Sequence, residues 1–297
     1  MYNSQLVGAV AVHESLRILR VRPDWGRFQY QPGQYTVLGL GDWEPCVGQA
    51  APAPDGTGRL IQRAYSCSAS LLDPQLRLVR PGDCPYVEFY VTLVRRPGGR
   101  PGLTPRLFAL RERDRLFIGR RGHGRYTLEY LDPDDEVVFA ATGTGEAPHN
   151  AMVAELLARG HRGGITSVTC VRRKQDLAYL AAHRELERQF QQYRYLFLTT
   201  REPENVDPGR PDYVGKRYLQ DYFESGQLEG EIGPRLDPAR THVYLCGNPV
   251  MIGAPSQVSR AGEGLAQSTG MIEVLQRRGF ALDEPDRPGN IHFEKYW

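Results

Sequence analysis

From Leu131-Asp132-Pro133 onward the chain alternates short runs of β-branched and aromatic residues with amphipathic segments, and this order restricts the fold more than any other feature. EVVFAAT (136–142), ITSVTCV (165–171), YRYLFLTT (193–200) and THVYLCG (241–247) have the length and apolar character of buried strands. HNAMVAELLARG (149–160), DLAYLAAHRELERQF (176–190), KRYLQDYFESG (216–226) and a last segment over roughly 262–278 predict helices. Such an order implies a parallel sheet with helices on both faces, because each crossover between parallel strands needs a returning segment.

Residues 1–132 follow another rule. LVGAVAVHESL, GRFQYQPGQYTVLGL, AYSCSAS, YVEFYVTLV and RLFIGR are short apolar runs separated by Pro-Gly, Gly-Asp and Asp-Pro turns. They predict a closed antiparallel β-barrel over 1–132, followed by a parallel-sheet α/β domain over 133–297. A length of 297 residues suits two such domains. The stretch from Gly41 to Arg59, rich in Gly, Ala and Pro, reads as a long loop between two barrel strands.

Composition removes several classes of function. No run approaches the roughly 18 apolar residues of a membrane span. The N-terminal residues show no basic region followed by an apolar block, so a cytoplasmic location is expected. The five cysteines, Cys46, Cys67, Cys84, Cys170 and Cys246, form no C-x-x-C pair, which favours reduced thiols over a metal site. A net charge of +2 does not suggest nucleic-acid binding. The charge is nevertheless uneven. Arg95, Arg96, Arg100, Arg106, Arg111, Arg113, Arg115, Arg120, Arg121 and Arg125 face only Glu112 and Asp114 within the same stretch, a local positive field suited to an acidic partner.

Five motifs carry chemistry. Thr142-Gly143-Thr144-Gly145-Glu146-Ala147-Pro148 joins a strand to a helix; its glycines allow a pyrophosphate to approach the backbone, and an ordinary tight turn would use the same residues. Arg63-Ala64-Tyr65-Ser66 offers a cation for a diphosphate, a flat ring and a hydroxyl, or simply the alternating faces of a strand. In Gly102-Leu103-Thr104-Pro105-Arg106, Thr104 reads as a helix N-cap with Pro105 in the first turn, an arrangement that also suits an anion. Cys246-Gly247-Asn248-Pro249 ends the fourth parallel strand, where Cys246 either packs or leaves room for a nicotinamide ring. Arg172, Arg173, Lys174, Arg201, Lys216 and Arg217 follow successive strands and either form a solvated face or converge on a 2′-phosphate, the mark of NADP rather than NAD. The C-terminus, HFEKYW, places three aromatic side chains in six residues, and these need a surface to cover them.

Together RAYS, EFYVTLV, GLTPRL, GTGEAP, DLAYL, ESGQLE and YLCGNPVM occur in the order of the ferredoxin–NADP(+) reductase family, and the chain resembles its bacterial branch over nearly the whole length. The resemblance implies an FAD-binding barrel followed by an NADP(H)-binding α/β domain. Carried onto this sequence, it implies that Arg63, Ala64, Tyr65 and Ser66 hold FAD with Tyr65 on the isoalloxazine, and that Glu88, Phe89, Tyr90 and Val91 supply backbone contacts. Gly102, Leu103 and Thr104 would cradle the diphosphate, and Thr144 would touch the flavin side. Tyr296 and Trp297 would cover the second flavin face and the adenine. Gly143, Gly145 and Gly247, with Arg172 or Arg173, Arg201, and Lys216 or Arg217, would bind NADP(H). Ser66, Cys246 and Tyr296 would set the ring geometry for hydride transfer between nicotinamide C4 and flavin N5, followed by one-electron steps to ferredoxin or flavodoxin. Glu146 and His149 depart from the family, which usually has a small or apolar residue and an aromatic at these places. A flavin, quinone or oxygenase-component reductase on the same plan and a non-catalytic flavoprotein subunit are the competing expectations.

Overall fold

A computed structural model of the chain describes residues 2–48, 58–95, 100–233, 235–253 and 269–296. Their packing forms two units: Met1–Leu128 with Ala147–Arg159, and Glu129–Glu146 with Gly160–Trp297.

In the first unit, β1 (Ser4–His13), β2 (Leu16–Pro23), β3 (Tyr35–Gly41), β4 (Leu60–Ser66), β5 (Val87–Thr92) and β6 (Arg115–Ile118) pair antiparallel in the order β4-β3-β6-β1-β2-β5. Just past β4, Ser68 bridges to Glu88 of β5, so the two ends of the sheet meet and the barrel closes. Leu6, Leu19, Val21, Leu38, Phe89, Val91, Leu116 and Ile118 fill its interior, capped by Leu103 and Leu107 of the short helix α1 (Leu103–Leu107). The run LVGAVAVHESL, expected as one strand, crosses the β1–β2 hairpin. Its turn at Glu14-Ser15 contains neither Gly nor Pro and is stabilised by the Ser15 amide donating to His13 Nδ1 at 3.2 Å. The described ends of the Gly41–Arg59 loop leave β3 and enter β4, while residues 49–57 lie outside the described residues.

The second unit holds β7 (Glu136–Thr142), β8 (Ile165–Val171), β9 (Tyr193–Thr199), β10 (Thr241–Gly247) and β11 (Ile291–Lys295), all parallel, in the order β11-β10-β7-β8-β9. The four predicted strands are present. A fifth strand, β11, is added at the C-terminus, where IHFEK pairs in parallel with β10. The helices after α1 are α2 (Glu146–Ala158), α3 (Leu180–Gln189), α4 (Pro203–Val206), α5 (Leu219–Glu224), α6 (Gln227–Ile232), α7 (Pro249–Ile252) and α8 (Met271–Arg277). The helix expected over 262–278 begins at Met271 behind Gly270, and 262–268 lie outside the described residues.

Alternation along the strands gives the parallel sheet two different faces. Val138, Ala140, Val168, Leu198, Val243 and Leu245 pack with Leu219 and Phe223 of α5, Leu228 of α6 and Leu275 of α8 in one apolar cluster. Each such side chain contributes roughly 1.5–3 kcal/mol by leaving water. Ser167, Thr169, Tyr193 and Tyr195, also buried, point to the opposite face. That face needs hydrogen-bond partners, which the site below supplies.

Candidate functional site

In the barrel unit β4 breaks the usual rule of alternate burial. Gln62, Arg63 and Ala64 are exposed in succession, Tyr65 is half-buried and Ser66 is buried. A strand exposed on both faces presents an uncovered surface, although its backbone is secured by pairing Leu38 with Arg63 and Val37 with Ala64. The Tyr65 ring meets Phe89 edge-on at 6.5 Å, and burial raises its phenol well above the ordinary range, so the ring is a neutral platform. Across the barrel closure, Glu88 engages Arg20 at 2.8 Å, accepts the Ser70 hydroxyl at 2.6 Å on its carboxylate and takes the Ser68 amide at 2.8 Å on its backbone carbonyl. Phe89, Tyr90 and Val91 are buried beside it.

The Gly102–Arg106 segment corrects two expectations. Thr104 is not the N-cap; Gly102 is, and the Thr104 hydroxyl accepts the Val94 amide at 2.9 Å and donates to the Val94 carbonyl at 3.2 Å. Among the described residues no heavy atom lies within 4 Å of the place a Gly102 side chain would occupy, so this turn is open to an incoming group. Arg106 is not part of a surface patch. Buried to 5% exposure, it donates to the carbonyls of Gly41 (3.1 Å), Asp42 (2.8 Å), Pro101 (2.7 Å) and Gly102 (2.9 Å). A guanidinium has five N–H donors in a rigid fork, and the turn uses them as a hub. Of the remaining arginines in the run, Arg115 pairs with Asp24 at 2.7 Å and Arg120 lies 5.4 Å over the Trp25 ring. Arg111, Arg113, Arg121 and Arg125 are exposed, and Arg96 is outside the described residues.

In the α/β unit the glycine turn follows β7 and is seated against the end of β10. A side chain at Gly145 would collide with the Cys246 carbonyl, and one at Gly247 with the Thr142 hydroxyl, so both positions require the absence of Cβ. Gly143 has a φ of +54° with open space beside it. The Asn248 amide donates to the Thr142 hydroxyl at 2.8 Å. Tyr296 lies across the same place: its amide donates to the Gly247 carbonyl at 3.0 Å and its hydroxyl to the Thr144 carbonyl at 3.2 Å. Burial raises the Cys246 thiol well above its usual range, so it is a neutral, compact wall residue and not a nucleophile. Trp297 lies outside the described residues.

The segments that carry the predicted bases meet through their backbones. The Arg172 carbonyl accepts the Arg201 amide at 2.8 Å, which joins the ends of β8 and β9. The Cys170 thiol reaches the Arg217 carbonyl at 3.7 Å, bringing a third basic segment to the end of β8. Arg172, Arg173, Arg201 and Lys216 are exposed, while Arg217 leans over Tyr222 at 5.9 Å. Lys174 is occupied with the Phe197 ring at 5.6 Å.

Two buried polar groups occupy the positions where the sequence departs from the family. His149, on α2, shares a 2.7 Å hydrogen bond with Tyr126, and burial pushes its pKa down to about 3, so it is neutral. Glu146, the first residue of α2, accepts the Tyr195 hydroxyl at 2.5 Å and the Thr169 hydroxyl at 3.2 Å, with His183 Nε2 at 3.3 Å. The only sequence signal was the presence of two polar residues where the resembling family has none.

A model of the oxidoreductase NAD-binding domain matches residues 139–257. The flavodoxin/ferredoxin–NADP reductase of Escherichia coli K12 is 28% identical over 224 residues, covering 75% of this chain and 76% of that protein. The enzyme of the same name from Buchnera aphidicola subsp. Baizongia pistaciae is 27% identical over 270 residues, covering 90% of this chain and 88% of its own length. A crystal structure of ferredoxin NADP+ reductase from Neisseria gonorrhoeae, with bound FAD and NADP, superposes with a TM-score of 0.73 at 17% identity, over 99% of this chain and 98% of that one. With its barrel, its parallel sheet and its matched dinucleotide-domain signature, the chain is similar in sequence and fold to the bacterial flavodoxin/ferredoxin–NADP reductases.

Proposed function

We propose that this protein is an FAD-dependent reductase that exchanges electrons between NADP(H) and a small acidic carrier, ferredoxin or flavodoxin, in the cytoplasm. The barrel, assigned to residues 1–132, holds the flavin, and the α/β domain, 133–297, holds the dinucleotide. One observation carries the reading: Arg172, Arg201 and Arg217, far apart in sequence, are gathered at the carboxyl ends of parallel strands beside an open glycine turn. That is where an open α/β sheet receives ligands, and arginines carried on neighbouring segments there suit a phosphorylated ribose.

The residues present fit both groups. The exposed face of β4 and the open turn at Gly102 form a polar and aromatic cradle for FAD, with Arg63 near its phosphates, Tyr65 against its ring and Ser66 as hydroxyl donor. Backbone groups of Glu88 to Val91 and of Leu103 and Thr104 border it. A bound flavin supplies the exchange of a hydride with nicotinamide and of single electrons with a carrier. The chain positions the partners. Gly143, Gly145 and Gly247 admit the pyrophosphate, the arginines with Lys216 select the 2′-phosphate, and Cys246 shapes the nicotinamide end. Tyr296 spans Thr144 and Gly247 there, so a bound nicotinamide displaces it. The exposed Arg111, Arg113, Arg121 and Arg125 supply the field that attracts the carrier.

The test is the absorption spectrum of the purified protein before and after anaerobic NADPH. The proposal expects a flavin spectrum that bleaches with NADPH. A colourless protein, or a flavin that keeps its colour, contradicts it.

A further inference from the structure

The glycine turn sits between neighbours on both sides, since the sheet order places β10 on one side of β7 and β8, then β9, on the other. On the β10 side the turn is held by backbone and by small groups: Gly145 against Cys246, Gly247 against Thr142, and the Asn248 amide on Thr142. Gly143 and Gly145 have no side chain to send toward β8 or β9. Glu146 has one. Its carboxylate, on a residue only 2% exposed, accepts Tyr195 of β9 at 2.5 Å and Thr169 of β8 at 3.2 Å, and faces His183 of α3 at 3.3 Å.

The partners are themselves immobilised. Tyr195 stacks on the His183 ring at 4.0 Å with planes 9° apart, and His183 Nδ1 shares a 2.7 Å bond with Tyr193. Tyr193 and Tyr195 are buried, and burial raises both phenols well above their usual range, so they remain donors. A buried carboxylate with several donors is a rigid and geometrically demanding anchor. It is attached to the residue immediately after the turn.

We infer that Glu146, held by the hydroxyls of Tyr195 and Thr169, is a positioning residue that fixes the dinucleotide turn Gly143–Gly145 from the β8–β9 side. The inference rests on the reading of that turn as the dinucleotide site and names what sets its shape in this chain. Without the anchor the turn loses its side-chain hold on β8 and β9, and its amides no longer converge on the pyrophosphate.

Equilibrium binding of NADP+ by calorimetry, with thermal melting of each variant and the flavin absorbance as controls, tests it. Tyr195→Phe retains the stack on His183 and removes one hydrogen bond. Glu146→Ala removes the anchor, and Glu146→Gln keeps an acceptor. Loss of a hydrogen bond to a carboxylate that orders the turn should weaken NADP+ binding by about tenfold in Tyr195→Phe, and at least as much in Glu146→Ala. Glu146→Gln should stay within about threefold of the wild type, with flavin absorbance unchanged throughout. Variants that melt earlier but bind NADP+ as the wild type does show a purely structural role and overturn the inference. So does Glu146→Gln binding as weakly as Glu146→Ala. If Glu146→Ala does not fold, Tyr195→Phe and Glu146→Gln decide between the same outcomes. A folded wild type that does not bind NADP+ refutes the underlying reading of the turn instead.

Discussion

The two arginine-rich regions of this protein behave in opposite ways. In the barrel unit the arginines are dense in sequence and dispersed in function: Arg106 is an interior hub, Arg115 is paired with Asp24, Arg120 rests on Trp25, and Arg95, Arg100, Arg111, Arg113, Arg121 and Arg125 remain at the surface. In the α/β unit Arg172, Arg201 and Arg217 are widely spaced in sequence, yet the parallel sheet delivers them to one edge. The comparison teaches that density along the chain measures local field, whereas strand order determines whether charges can act on a single group. The first region is suited to attracting a diffuse acidic surface and the second to gripping a compact phosphate.

The largest effect is expected where the charges converge. Arg172→Ala with Arg201→Ala should weaken NADPH binding by roughly 100-fold or more, because each charge-assisted hydrogen bond contributes about 1.5–3 kcal/mol. Binding of NADH, which lacks the 2′-phosphate, should change little, and titration with both coenzymes reads the ratio. An equal loss for both would show that the arginines do not discriminate and would remove the contrast between the regions.

Next comes the interior arginine. Arg106→Leu leaves four carbonyls without their donor and should destabilise the protein by roughly 3–5 kcal/mol. Arg113→Ala, an exposed neighbour in the same run, should fall within about 0.5 kcal/mol of the wild type. Urea denaturation of the two variants side by side sharpens the distinction between hub and surface; similar losses would erase it.

A third expectation concerns pH. Burial holds the His149 pKa at about 3 against an ordinary value of 6.5, so the unfolded chain takes up a proton that the folded one refuses. The stability associated with neutral His149 is complete above pH 6.5 and is lost progressively as the pH falls toward 3. His292, pushed down to about 4 mainly by burial, acts in the same direction. His149→Phe should therefore flatten the fall in melting temperature between pH 6.5 and 4; an unchanged slope would show that His149 does not titrate as its burial implies.

The smallest effect belongs to the exposed arginines. Raising salt from low to physiological strength should slow carrier reduction several-fold while barely changing reduction of a small neutral dye, since exposed charges steer encounter and are screened. Equal salt sensitivity would favour a flavin or quinone reductase on the same plan.

Much of this was legible in the sequence because the signals were local and periodic. The four runs from Glu136, Ile165, Tyr193 and Thr241 are the strands β7 to β10, and the RAYS run lies on β4. What escaped depends on three-dimensional neighbours. The β1–β2 turn at Glu14-Ser15 has no Gly or Pro to announce it, and β11 is recognisable only through its pairing with β10. Thr104 resembled an N-cap, but Val94 took its hydroxyl. Glu146 looked like an anomaly until Tyr195, 49 residues away in the chain, proved to be its partner.

The central claim is that basic residues from separate strands select a phosphorylated dinucleotide for a flavin held by the barrel. Anaerobic stopped-flow reduction of the flavin by equal concentrations of NADPH and NADH measures that selection directly. The account predicts that NADPH reduces the flavin at least tenfold faster at subsaturating concentration, and that the Arg172→Ala/Arg201→Ala protein loses this preference. Equal rates with the two coenzymes in the wild type would contradict it.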